Sequence, residues 1–355
     1  MLQAFKRAIK SSKVFKAYSE YLVRQDEIRR FIREADLYLD NHDLHHKAEI
    51  RKLYIADLKR YMFTFDEWFC QYRLCGESDE IKSTFISRSA AQKMYRAIIQ
   101  PEWRRLFHDK KIFAQTFKPF IKRRILEVVG GGKSADIQDF ISKSASHAII
   151  VKPVAGSLGQ GIFKVEASDL ADESEKQRLL KKIYSTESII EECIKGCEDL
   201  QKFHPQSLNT IRVVTVSNGS MHRVFGSFFR MGCGNAVIDN AHAGGIFAHI
   251  DIDNGIIDSD GVDTQGCTYE KHPDSNITIK GTGIPQWEEI KAACIEAHKL
   301  CKNFMVGWDV VVNSDNHIDF IEGNHAPDMD VMQSPLRKGI RRDFEKAYKS
   351  FIASR

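Results

Sequence analysis

Apolar residues recur at helical spacing through the first hundred residues. Ile28, Phe31, Ile32, Ala35 and Leu39 form one such stripe, and Tyr54, Leu58, Tyr61 and Met62 another. No glycine precedes Gly76, and no run of alternating strand residues interrupts the pattern. The spacing predicts a helical N-terminal domain over residues 1–106, with about four to six helices. Leu2 to Tyr21 would make a basic amphipathic helix, lying either on a membrane surface or against the rest of the protein.

From about residue 107 the pattern changes to short apolar runs broken by glycine. Strands are predicted at His147–Pro153, Ile162–Val165, Ser188–Glu192, Thr210–Val216 and Arg223–Arg230. Asn218-Gly219 between the last two is a hairpin signal. Gln286 to Cys301 reads as a helix following Pro285, with Ile290, Ala293, Cys294, Ala297 and Leu300 on one face. Helices followed by strands, a helix and more strands give an α+β class.

One more pair of strands closes the pattern, Gly307–Val312 and His317–Asn324. If their turn is centred on Asp315 and Asn316, Asp309 lies directly across from Glu322. Glu322 and Asn324 share a face by alternation. Three oxygen-bearing side chains would then converge beside Val311, Ile318 and Phe320. Two carboxylates and an amide oxygen suit one or two Mg²⁺ ions whose other ligands are substrate phosphates. An exposed hairpin with incidental acids is the plainer alternative.

Composition changes this picture little. The chain has 355 residues, 43% hydrophobic and 28% charged, ordinary values for a globular protein with a real core. No apolar run spans a bilayer and no secretory leader is evident, so a cytoplasmic location is expected. Eight cysteines are scattered without a Cys-x-x-Cys pair, which argues for reduced thiols and against a zinc site. Net charge is +4, unevenly placed: residues 1–110 carry 22 Lys/Arg against 16 Asp/Glu. That basic excess allows peripheral contact with the inner membrane face, or is simply the solvated face of helices. Nucleic acid is not an expected partner.

Several residues could carry chemistry. Gly156-Ser157-Leu158-Gly159-Gln160-Gly161 lies between two strands, where glycines let backbone N–H groups approach an anion. Lys152 on the preceding strand supplies a point charge for a phosphate. Glu191 to Glu198 leaves a strand and enters a turn; such an end can present backbone groups to an adenine edge, and a later carboxylate can take ribose hydroxyls. Arg212 and Arg230 stand on apolar strands and need partners, either a bound anion or an internal carboxylate. Gly130–Ser134 lacks P-loop spacing. His42 and His46 are four apart, so one helix could turn both to a metal, though a solvated helix face is the simpler reading. Asp328 and Asp330 read as a solvated loop.

These motifs, with Asp109-Lys110 before them, occur in the order of the ATP-grasp superfamily. The chain resembles more narrowly the sugar-transfer-associated ATP-grasp group over roughly residues 60–340. Asn209–Val213, Asp239–Ile246, Ile284–Trp287 and Gly307–Asp309 carry the narrower likeness. The resemblance implies an ATP-grasp fold with a small lid subdomain over 107–193 and a C-terminal subdomain with the Mg²⁺ site over 194–355. It implies that Lys110 and Lys152 contact ATP phosphates, with Lys111 an open alternative to Lys110. Gly156, Ser157, Gly159 and Gly161 would belong to the phosphate lid. Glu191, Glu192 and Ile194 would hold adenine, and Glu198 the ribose. Arg212 and Arg230 would steady the transferred phosphate and the anionic intermediate. Asp309, Glu322 and Asn324 would bind Mg²⁺, for which Mn²⁺ can substitute. Asn240, His242, Gly244 and Gly245 fall where substrate should lie. The implied reaction is ATP-dependent ligation of a carboxylate to an amine through an acylphosphate, on a small-molecule or glycan substrate such as a sugar acid or an amino acid. A kinase-like phosphotransferase and a non-catalytic surface-binding module are the rivals. Two departures stand out: the chain begins with helices rather than a small α/β domain, and Gly307 occupies a position where some relatives place an arginine.

Overall fold

The computed structural model describes residues 13–128, 134–144, 148–154, 161–185, 187–234 and 244–355. The N-terminal stripes fold as expected. Helices α1 (Lys13–Asn41) and α2 (Lys47–Tyr61) bury Phe31, Ala35 and Leu39 against Tyr54 and Leu58. A π-helical turn, Asp66–Gln71, adds Trp68 to the same core. Three short helices follow, α3 (Asp79–Thr84), α4 (Arg88–Ile98) and α5 (Pro101–His108). Ser78 and Ser87 cap the first two by accepting Ile81 N and Ala90 N, each the third residue of its helix, while Pro101 opens the third. Asp109 then caps α6 (Lys110–Thr116), accepting from Lys111 N and Ile112 N.

A four-stranded antiparallel sheet comes next, in the order β1-β4-β2-β3. Its members are β1 (Ile125–Val128), β2 (Ala148–Pro153), β3 (Phe163–Glu166) and β4 (Ser188–Glu192), interleaved with α7 (Ser134–Ser142) and α8 (Glu173–Tyr184). Val151, Val165 and Ile190 point to the two helices. Pairing puts Ile150 opposite Glu191 and Lys152 opposite Ile189, so Lys152 and Glu191 lie on the face away from the helices.

After a short helix α9 (Glu198–Gln201), a seven-stranded antiparallel sheet is built in the order β11-β10-β5-β6-β7-β8-β9. Its strands are β5 (Thr210–Ser217), β6 (His222–Met231), β7 (Ile246–His249), β8 (Gly261–Val262), β9 (Thr268–Tyr269), β10 (Met305–Val312) and β11 (Ile318–Asn324). Helix α10 (Trp287–His298) precedes β10, and α11 (Asp330–Gln333) and α12 (Arg341–Ala353) follow β11. One face carries Ile211, Val213, Phe229, Trp308, Val310 and Phe320, buried against α10 and residues of α5 and α6. The other carries Val214, Val216, Phe228 and Met305, buried against α4 and α12. Along that second face the side chains turn from apolar to charged, Val216-Val214-Arg212 on β5 and Met305-Gly307-Asp309 on β10, two residues at a time.

Two details depart from expectation. The Asn218-Gly219 hairpin closes through a four-residue loop, with Ser217 paired to His222 and Asn218 Oδ1 accepting Met221 N at 2.8 Å. The short strands β1, β7, β8 and β9 were not legible in the pattern, because two to four residues are too few for alternation to register. The eight cysteines are free. Among the described residues no helix is long and apolar enough to cross a membrane.

Candidate active site

The β10–β11 hairpin positions the site, by a route other than the expected one. Asn316 sits in the left-handed region at φ 62°, and Asn313 N bonds His317 O at 2.9 Å, so the turn is centred on Asp315 alone and the first pairs are one residue out of the expected register. The pairing runs Val312↔Ile318 and Val310↔Phe320, then shifts to Asp309↔Glu322 across a bulge at Ile321. The bulge restores the expected partnership. It also sends Phe320 to the Trp308 face instead of beside Glu322, correcting the predicted apolar neighbourhood. Re-aiming a side chain beside an active site is a recurrent use of bulges.

Asp309 is buried and held by both strand arginines. Arg212 donates Nε to Oδ1 and Nη2 to Oδ2, the latter at 2.7 Å; Arg230 donates Nη1 to Oδ2 at 2.8 Å. Burial alone would raise its pKa, but the two guanidinium groups more than offset that and hold the carboxyl well below the usual range. Glu322 behaves in the opposite way. Crowding by protein and the like charge of hydrogen-bonded Asp309 push it up to about 7. Since Glu322 still opens to solvent, the neighbouring charge is the firmer cause. Asn324 is half-buried, and its Oδ1 accepts Ala326 N at 3.0 Å. Gly307 has a spatial reason: an added Cβ would stand 3.2 Å from Arg212 Cδ. Pro327 Cβ, at 3.1 Å, bounds the same space from another side.

The opposite wall comes from the small sheet and α6. Lys152 Nζ donates to Glu191 Oε2 at 2.6 Å. Lys110, at the first turn of α6, has its ammonium held below the usual lysine range by burial and by Lys152, against the pull of Glu322 and Glu191. Its backbone N–H bonds Val154 O at 3.3 Å, tying α6 to the end of β2. Lys111 turns away and pairs with Glu127 at 3.0 Å. Of the two lysines, Lys110 is the one near Glu322 and Lys152.

Other predicted residues are placed as follows. The Glu191 carboxyl is spent on Lys152 and Arg123, and the N–H groups of Glu192 and Cys193 bond Arg124 O and Ala148 O. The backbone N–H groups of Glu192 and Cys193 are therefore engaged within the protein. Glu198 is exposed in the first turn of α9. Gly161 has φ +74°, and a Cβ there would lie 2.9 Å from Pro153. Gly244, exposed, and Gly245, buried, lead into β7, whose Phe247 pairs with Arg230. Gly156, Ser157, Gly159, Asn240 and His242 lie outside the described residues, as do Gly130 to Lys133. His42 stacks on Tyr38 beyond the end of α1, and His46 precedes α2 at φ 59°, so no single helix carries both. Asp330 is buried and paired with Arg88 at 2.6 Å, so it is not the solvated residue expected.

Sequence reasoning missed Arg123 and Asp319. Both are buried, and Arg123 joins Glu191 at 2.8 Å to Asp319 at 2.6 Å. The available signals were an arginine abutting an apolar strand and an aspartate between Ile318 and Phe320. Among the described residues no group of three or more His, Cys, Asp or Glu could hold a metal alone.

A sequence model of the family described as sugar-transfer associated ATP-grasp matches residues 89–348. No curated protein sequence matches. Solved structures similar to the chain include the ATP-grasp ligase PsnB complexed with a minimal precursor, at 16% identity and a TM-score of 0.45, over 72% of this chain and 63% of that one. The D-alanine-D-alanine ligase from Coxiella burnetii matches at 11% identity and a TM-score of 0.40, over 70% and 61% of the two chains. The N5-carboxyaminoimidazole synthetase from Staphylococcus aureus, complexed with ADP, matches at 13% and 0.40, over 66% and 52%. The chain thus spans less than two thirds of each of these three proteins. At such TM-scores these likenesses carry no weight; the family match does.

Proposed function

The chain belongs to the sugar-transfer-associated ATP-grasp family, and on that premise we propose that it is an ATP-dependent ligase joining a carboxylate to an amine, with release of ADP and phosphate. The observation that carries the proposal is the Asp309–Glu322 pair, flanked by four cationic side chains from two walls. Lys110 and Lys152 are suited to hold phosphate charge. Arg212 and Arg230 are suited to share themselves between Asp309 and a developing anion, since phosphoryl transfer is chiefly positioning and charge neutralisation.

The carboxyl pair also fits a divalent cation. Hard oxygen donors match Mg²⁺ or Mn²⁺, and the like charges of Asp309 and Glu322, which push Glu322 up to about 7, are what a bound cation would offset. Asp309, Glu322 and Asn324 would hold it, and its charge would offset that of the phosphates. In this reading the substrate carboxylate attacks the γ-phosphate to give an acylphosphate and ADP. The amine then attacks the acyl carbon and phosphate leaves. Adenine would lie at the Ile194 backbone, ribose at Glu198, the lid over Gly156–Gly161, and substrate beside Asn240, His242, Gly244 and Gly245. A sugar acid or an amino acid in the cytoplasm is the proposed substrate class.

The test is incubation with Mg-ATP and panels of carboxylates and amines, following nucleotide release and product mass. ADP with an amide product supports the ligase. A stable phosphorylated product with no amide replaces it with a phosphotransferase, and AMP with pyrophosphate replaces it with adenylate chemistry.

A further inference from the structure

We propose that Arg123 is a positioning residue that sets both walls of the cleft through one guanidinium. The inference rests on the ligase reading for the roles of the two walls. The geometry that carries it is independent of that reading.

Arg123 lies just before β1 and is 6% exposed. Its Nε donates to Glu191 Oε2 at 2.8 Å. Nη1 donates to Asp319 Oδ1 at 2.6 Å and to Phe320 O at 2.7 Å, and Nη2 donates to Ile321 O at 3.2 Å. Its backbone N–H bonds the other Asp319 oxygen at 2.8 Å. Nearly every donor of the rigid fork is thereby assigned.

Each of these contacts leads to a site residue. Glu191 Oε2, which Arg123 orients, also accepts the Lys152 ammonium at 2.6 Å. Ile321 is the bulged residue, and its carbonyl is peptide-bonded to the nitrogen of Glu322. The chain of contacts therefore runs from Lys152 through Glu191 and Arg123 to the bulge that aims Glu322 at Asp309. Three charged residues buried to this depth are a weak device for stability, since apolar residues of similar volume serve as well or better. The guanidinium supplies direction instead. It fixes the small sheet against β11 at one spacing, with Lys152 on one side and Glu322 on the other.

The arrangement predicts a split that a purely structural residue would not give. ADP affinity is measured calorimetrically in EDTA, and Mn²⁺ affinity by spin resonance without nucleotide, both on the full chain. Glu191→Gln should weaken ADP about tenfold and leave Mn²⁺ within about twofold, because it weakens the hold on Lys152 while Arg123 keeps Asp319, Phe320 O and Ile321 O. Asp319→Asn should do the reverse, because it loosens Arg123 on the β11 side while Glu191 keeps Lys152. Arg123→Met should weaken both by about tenfold each, and Arg123→Lys should recover neither, lacking the fork. If Arg123→Met shifts one affinity alone or neither, the proposal is overturned. If that variant fails to fold, the two carboxamide variants decide: equal effects of each on both ligands overturn it. Absence of ADP binding by the unaltered protein overturns the ligase reading instead, while the Mn²⁺ measurements still decide whether Arg123 aims Glu322.

Discussion

The two arginine–carboxylate clusters of this cleft use the same chemistry to opposite ends. Around Arg123, cations and carboxylates are matched and nearly every donor is used. Burial there would raise Glu191, yet Arg123 and Lys152 hold it down at about 2. Around Asp309, two arginines converge on one carboxylate while a second carboxyl, Glu322, is pushed up to about 7 and open to solvent. The presence of a shifted acid does not distinguish the clusters. What distinguishes them is the remainder: the first is buried with nearly every donor spent within it, and the second leaves a carboxyl open to solvent beside two arginines, which under the proposed function is the capacity that a cation and an anion would use.

The sharpest way to break this contrast is at the open cluster. Glu322→Gln should lower ATP-dependent turnover by at least about a thousandfold. Its melting temperature should stay within a few degrees, because the amide resembles the protonated form that the site already tolerates. Near wild-type turnover would remove the metal role from this hairpin. Next in size are the lysines. Lys152→Ala and Lys110→Ala should each weaken nucleotide binding by about 10- to 100-fold, roughly 1.4–2.8 kcal/mol. Lys111→Ala should change it by less than about twofold, since Lys111 is engaged with Glu127 at the surface. A large effect at Lys111 would exchange the two roles.

The pH response sharpens the contrast further. Below about 7 the proton holds Glu322, and a divalent cation must displace it. Mn²⁺ affinity should therefore rise with pH up to about 7 and then level, falling up to about tenfold per unit on the acid side. The closed cluster predicts no such response in that range, since Glu191 titrates at about 2. A flat Mn²⁺ profile between pH 5 and 8 would mean that Glu322 is not the group displaced.

How much of this was legible in the sequence varied by element, for physical reasons. The helical stripes and the longer strands could be read because burial imposes a period on them. The Asp309–Glu322 pairing was also readable, yet two unforeseen features cancelled to make it so: a turn centred on Asp315 alone, which shifts the register by one residue, and a bulge at Ile321. Period-two reasoning cannot see a bulge, which is why Phe320 was assigned to the wrong face. Arg123 escaped because its partners Glu191 and Asp319 lie 68 and 196 residues away. The choice between Lys110 and Lys111 depended on a helix starting at Asp109, which fixes which side chain faces the cleft. The shared helix expected for His42 and His46 does not form, because one helix ends at Asn41 and the next begins at Lys47.

The smallest expected effect separates two carboxyls that share one pKa for different reasons. Glu67, in the N-terminal helical core, is fully buried and also pushed up to about 7, chiefly by that burial. Unlike Glu322, it has no carboxylate bonded to it; its oxygens accept from Thr64 N at 2.9 Å, Thr64 Oγ at 3.0 Å and Arg88 N at 2.6 Å. Its folded-state pKa lies above the ordinary value of 4.5. The folded chain therefore binds this proton more tightly than the unfolded one. The resulting stability is complete below pH 4.5 and is lost as pH rises through about 7. The loss is at most about 3 kcal/mol, a few degrees of melting temperature in a chain of this size. Glu67→Gln should flatten the melting temperature between pH 5 and 8 while leaving the pH profile of Mn²⁺ affinity unchanged. Glu322→Gln should remove the Mn²⁺ profile. If Glu67→Gln alters that profile instead, the two carboxyls are coupled, and the cleft is not electrostatically separate from the helices that precede it.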